Sequence, residues 1–154
     1  MKKSRLLALF LVSHFAFAQP LSFSPRVIGG GGALFSPSFN PGNADEYFVA
    51  CDMSELFHVT NFGATYSQVN FTEFIGGHNS KMCYTSTSGL LYSISYINDI
   101  GTPVTSNDNG NTWSPLVVNP DANEDLYTIH VDYANSNRTL ISQYGTIFIL
   151  QMAA

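Results

Sequence analysis

The feature that most constrains the fold is a repeat. "SNDNGNTW", Ser106 to Trp113, is a run of polar turn-formers that ends in the chain's only tryptophan. Forty-seven positions upstream, "VTNFGATY" ends in Tyr66. Superimposing the two stretches pairs Asn61 with Asp108, Gly63 with Gly110, Thr65 with Thr112 and Tyr66 with Trp113. Each residue type has a physical task in a tight hairpin. The Asp or Asn side-chain oxygen accepts backbone N–H groups of its own turn. Glycine takes up a positive φ that other side chains resist. The threonine opens the next strand, and the aromatic ring is expected to pack sideways into the adjoining sheet.

The same offset reaches beyond the turns. "CDMSELF" (Cys51 to Phe57) aligns with "NDIGTPV" (Asn98 to Val104), pairing Asp52 with Asp99, and "SQYGTIF" (Ser142 to Phe148) is a third echo. A period in the mid-forties belongs to four-stranded propeller blades. Composition agrees: charged residues are only 11% of the chain and aromatics 14%, which suits strands joined by tight turns. Blade one is expected at about 30–75, with strands at 33–39, 47–51, 56–60 and 65–71. Blade two, about 76–122, takes strands at 81–87, 90–96, 103–106 and 112–118. An incomplete blade three, about 123–154, takes 126–133, 139–143 and 147–151. A propeller closes on itself to protect its edges, and two blades with an incomplete third do not close. The expectation is an all-β, incomplete β-propeller of about three four-stranded antiparallel blades, the N-terminal fragment of a longer protein. A small β-sandwich is the competing architecture, and the repeat register argues against it.

The first residues read differently. "MKKSRLLALFLVSHFAFAQP" carries Lys2, Lys3 and Arg5, then an apolar run from Leu6 to Phe17, then Ala16 and Ala18 around Phe17. These are the n-region, h-region and exit of a bacterial-style secretory signal peptide, cleaved after Ala18. The run is too short to span a bilayer, and no later segment approaches the needed length. The sequence thus predicts a secreted or periplasmic product without membrane insertion after cleavage. Only Arg26, Lys81 and Arg138 then remain against eleven acidic residues, a net charge of −8. Three scattered cations do not hold a phosphate backbone, which excludes nucleic acid as a partner.

Cys51 and Cys83 can pair in an oxidising compartment, or lie apart as buried thiols; spacing does not decide. His58, His78 and His130 have no zinc-ligand spacing. "DANED" (Asp121 to Asp125) lacks the calcium-loop pattern, so no metal and no cofactor is expected. The sequons at Asn70 and Asn137 matter only in a glycosylating host. Gly29 to Gly32 precede no helix and complete no phosphate-binding motif; they let the backbone pass closely across the entry to blade one.

The pattern S-x-D-x-G-x-T-W at Ser106, Asp108, Gly110, Thr112 and Trp113 resembles the Asp-box of sialidase-type (BNR) propellers. That resemblance implies a structural clasp, in a degenerate form at Asn61, Gly63, Thr65 and Tyr66, and leaves chemistry open. The stretch from Val27 to Tyr66 is similar to the opening blade of xyloglucanases and related two-propeller glycoside hydrolases. It implies a general base at Asp52, with the partner acid supplied by a later propeller. The chain departs from that pattern at Met53 and Ser54, where the family has glycines, at Asn40–Pro41 in place of His–Pro, and at Asn61 and Tyr66.

Two functions follow as expectations. One is the N-terminal portion of a secreted xyloglucanase-like glycoside hydrolase acting on neutral polysaccharide, inactive as this fragment, with the remaining blades in a longer parent. The other is a non-catalytic secreted Asp-box propeller that binds protein or glycan, in a receptor or scaffold role.

Overall fold

The computed structural model describes residues 23–25, 28, 32–121 and 124–151. The expected signal peptide at 1–18 and the glycines at 29–31 lie outside the described residues. The rest is all-β. The first sheet orders β1 (Leu34–Asn40), β2 (Asn43–Cys51), β3 (Leu56–Thr60) and β4 (Thr65–Gln68). The second orders β5 (Cys83–Tyr84), β6 (Leu91–Ile97), β7 (Ile100–Ser106) and β8 (Ser114–Pro115). The third has β9 (Thr128–Val131), β10 (Arg138–Gln143) and β11 (Thr146–Gln151), with β10 in the middle. Every pairing is antiparallel between sequence neighbours, so each sheet is a meander and the chain is an open arc of three propeller blades.

Alternation along the strands explains how the blades stack, because successive side chains point to opposite faces of a sheet. On β2 and β3, Phe48, Ala50 and Leu56 join Tyr84, Leu91, Val104 and Trp113 in one buried cluster between blades one and two. The odd-numbered Val49, Cys51, Phe57 and Val59 form a second cluster on the other face, against Ile28. Blade two repeats the device: Leu91 faces blade one, whereas Tyr92 and Ile94 pack with Ile129 and Ile141 of blade three. Leu140, Ile147 and Ile149 occupy the outer face of blade three and are exposed.

The expected strands shorten at the blade edges. β8 spans two residues rather than 112–118, and β5 two rather than 81–87. Ser114 and Pro115 pair with Thr105 and Val104, but proline has no N–H to extend a ladder. β2 instead starts earlier than expected, at Asn43, because the turn after Asn40 needs only Pro41 and Gly42.

The two cysteines are not bonded to each other. Cys51 lies in the outer cluster of blade one, where its thiol donates to Asp52 Oδ1 at 3.6 Å. Cys83 lies between blades two and three and donates to the Ile129 carbonyl at 3.1 Å. Burial pushes both thiols above their ordinary range. The alternation that puts them in separate clusters overrides their availability for pairing.

Candidate functional site

The turn after β7 is built as its residue types require. Asp108 Oδ1 accepts the Thr112 N–H at 2.9 Å and the Ser106 hydroxyl at 2.8 Å, and Oδ2 accepts the Thr112 hydroxyl at 2.7 Å. Ser106 Oγ accepts the Gly110 N–H at 2.9 Å. Asn109 and Gly110 take positive φ of 59° and 85°. The hydrogen bonds, chiefly from the Thr112 backbone and then from the Thr112 and Ser106 hydroxyls, hold the Asp108 carboxyl down to about 2. Trp113 donates its indole N–H to the Gly110 carbonyl at 3.0 Å and lies 4.9 Å from the Phe74 ring. A Cβ on Gly110 would come within 2.8 Å of Phe48 Cζ, so the turn sits directly on blade one.

The upstream copy keeps the register and loses the clasp. Val59 pairs with Tyr66; Thr105 with Ser114, which sets Ser106 across from Trp113 in the same way. Yet Val59 has no hydroxyl where Ser106 has one. Asn61 donates to Thr65 Oγ1 at 3.2 Å, and Thr60 and Thr65 share a hydroxyl contact of 2.6 Å. Asn61, Phe62 and Gly63 all have positive φ. The expected burial of Tyr66 is corrected: the residue is 44% exposed, its ring edge-on to Phe57 at 6.0 Å. It lies on the face of blade one turned away from blade two, whereas Trp113 lies on the face that meets blade one.

Asp52 stands at the opposite end of β2 from these turns. Its Oδ1 accepts the Ala33 N–H at 2.9 Å, and its own N–H donates to the Ala33 carbonyl at 3.1 Å. The side chain thereby ties the β2–β3 turn to the entry of β1. Gly32, at φ +113°, is required there, since a Cβ would lie 2.5 Å from Asp52 Oδ1. Both side-chain bonds end on Oδ1, and Asp52 is exposed. Asp99 does not repeat this. With Asn98 it forms a two-residue turn at positive φ between Ile97 and Ile100. The β6–β7 hairpin is instead tied by Asp125, whose Oδ1 accepts the Gly101 N–H at 2.9 Å.

Sequence reasoning missed a polar cluster at the end of the blades that carries the Asp108 turn. Glu46 is only 8% exposed and accepts from His58 Nε2 at 2.6 Å, Asn40 Nδ2 at 2.7 Å and Asn109 Nδ2 at 2.9 Å. Burial pushes its carboxyl up, but the bonds from Asn109, Asn40 and His58 outweigh it and leave a net lowering. His58 stacks on Phe48 at 4.3 Å. The signal was there in the alternation: Glu46 is in phase with Phe48 and Ala50. His78 packs on Phe35 and His130 contacts Thr128. Among the described residues no group of three or more His, Cys, Asp or Glu could hold a metal ion.

Solved structures share this arrangement. YCF48 from Cyanidioschyzon merolae superimposes with a TM-score of 0.62 at 13% identity, over 83% of this chain and 37% of its own. A second YCF48 structure, described as bound to D1 peptide, gives 0.61 at 11% identity over 85% and 41%. A GH74 enzyme from Niastella koreensis gives 0.57 at 15% identity over 77% and 21%. The chain therefore has the β-propeller fold and spans well under half of each of these proteins. No protein-family profile matches it, and no curated protein does.

Proposed function

We propose that the chain is the opening portion of a secreted Asp-box propeller of the xyloglucanase-like glycoside hydrolase type, acting on neutral polysaccharide. Residues 1–18 are its export signal, and blades one to three occupy about 30–75, 76–122 and 123–154. One observation carries the reading. Asp52 is a carboxylate fixed through Oδ1 to the Ala33 N–H, with Oδ2 bonded to none of the described residues. A general base needs that arrangement: one oxygen oriented by the protein, the other open to a water molecule. The partner acid comes from remaining blades in a longer parent, since hydrolysis of a glycosidic bond takes two carboxyl groups. The isolated chain is then inactive. The substitution Asp52→Asn keeps an acceptor for Ala33 and removes the base. In the parent protein it should abolish xyloglucan cleavage without changing the melting temperature. Undiminished cleavage would remove Asp52 from the mechanism.

The second reading is a non-catalytic propeller that binds protein or glycan. It is favoured by the structural work Asp52 already does at the entry to β1, and by the likeness to a YCF48 described as peptide-bound. On this reading Asp52→Ala destabilises the protein and Asp52→Asn has no functional effect.

A further inference from the structure

The turns between the first two strands of each blade converge at the end that carries the Asp108 turn. Pro41 and Gly42 belong to blade one, residues 85–90 to blade two, and Tyr133 to the β9–β10 turn of blade three. The Ser86 N–H donates to the Tyr133 carbonyl at 2.7 Å, which locks the second turn to the third. Between them lies a cleft of about 360 Å³ whose walls include Asn43, Glu46, Tyr84, Ser88, Asn109 and Tyr133. Most of the lining is hydroxyl and amide, and Glu46 is its one charged residue.

One buried polar atom of a residue lining this cleft is left without a partner. Tyr84 is 7% exposed, and its hydroxyl is buried with no hydrogen bond among the described residues. A buried polar group in that condition costs stability, and such groups are few in native proteins. Burial, and after it the Glu46 carboxylate, raises the Tyr84 phenol, so the group remains a donor at neutral pH. Glu46, held by three side chains, is a fixed acceptor nearby.

We infer that this cleft binds a neutral sugar ring, with Tyr84 donating to a ring hydroxyl. Sugar hydroxyls both donate and accept, as Ser, Thr and Asn side chains do, so one uncharged ring satisfies the lining. The partly exposed Tyr133 ring offers a flat apolar surface to a C–H face. The volume suits one ring and lies within the range of small-molecule sites. A single buried carboxylate with no lysine or arginine in the lining disfavours anionic ligands.

The site stands at the opposite end of β2 from Asp52 and does not depend on the hydrolase reading. The test is backbone amide NMR on the whole chain, titrated separately with D-glucose, D-galactose, D-xylose and D-glucuronate. At least one neutral sugar should shift the amides of Ser88, Asn109 and Tyr133, with a dissociation constant on the order of millimolar. Glucuronate should bind more weakly. Tyr84→Phe should weaken the sugar by about 2- to 10-fold, the worth of one hydrogen bond. It should also leave the ligand-free melting temperature unchanged or higher, because an unsatisfied hydroxyl is gone. Ser88→Ala, on an exposed turn, gives a second reading of affinity without touching the core. Asp52→Asn should leave the titration unchanged, so failure here and failure of the hydrolase reading are separable. Absence of shifts at these amides with every neutral sugar overturns the inference, as do shifts of equal size in wild type and Tyr84→Phe.

Discussion

The turns after β3 and after β7 have the same register and opposite fates. In blade two, Ser106, Asp108 and Thr112 close a network of hydrogen bonds, and the turn delivers Trp113 into the contact between blades. In blade one, Val59 and Asn61 cannot build that network, and Tyr66 stays 44% exposed. Turn geometry is thus set by the positive-φ residues, which both copies have. Fastening needs two further things: an acceptor that can take several donors, and a neighbouring sheet on the side where the ring emerges.

Substitutions sharpen the contrast. Trp113→Ala should cost about 3–5 kcal/mol in urea unfolding, the usual penalty for emptying a large buried aromatic site. Tyr66→Ala should cost less than about 1 kcal/mol, as for other exposed positions. Equal losses would break the comparison. Next in size is Gly110→Ala, expected to cost about 2 kcal/mol or more. It combines a positive φ with a Cβ pressed to 2.8 Å from Phe48. Gly145, at φ +74° with nothing within 4 Å, isolates the backbone part, and Gly145→Ala should cost about 1 kcal/mol.

The smallest effect is a pH dependence. The Asp108 carboxyl is held at about 2 in the folded chain, against roughly 3.9 when unfolded. A depressed folded value stabilises above the unfolded one and loses that contribution as pH falls toward 2. Asp108→Asn should flatten this part of the acid-unfolding curve, while Asn61→Ala leaves its shape unchanged. An unaltered curve in Asp108→Asn would mean the clasp carboxylate carries no linked stability.

Much of this was legible in the sequence, because turns declare themselves locally. Gly110 and Gly63 announced positive φ, and Asp108 announced a capped turn. The 47-residue offset between Tyr66 and Trp113 gave the blade period, and the three sheets follow it. What local patterns do not carry is which face of a blade meets a neighbour. Tyr66 and Trp113 look alike in sequence and differ only in what lies beyond the ring. Whether the cysteines pair was open in the sequence for the same reason: Cys51 and Cys83 are each in phase with a buried row, but with different rows. Asp52 and Asp99 were aligned as equivalents, yet the hairpins differ in length, and only Asp52 reaches Ala33. Glu46 falls just outside the strand expected at 47–51, although it shares the inward phase of Phe48.

The central claim is that blade two is fastened to blade one through the clasp, with Trp113 buried in the contact between them that also holds Phe48 of blade one. Trp113 is the only tryptophan, so its fluorescence reports that contact directly. Native emission should be blue-shifted and poorly quenched by acrylamide. Phe48→Ala, a change 65 residues away in the chain, should shift it to the red and raise quenching while β-sheet circular dichroism persists. A water-exposed emission in the native protein, or a spectrum indifferent to Phe48→Ala, would contradict the account.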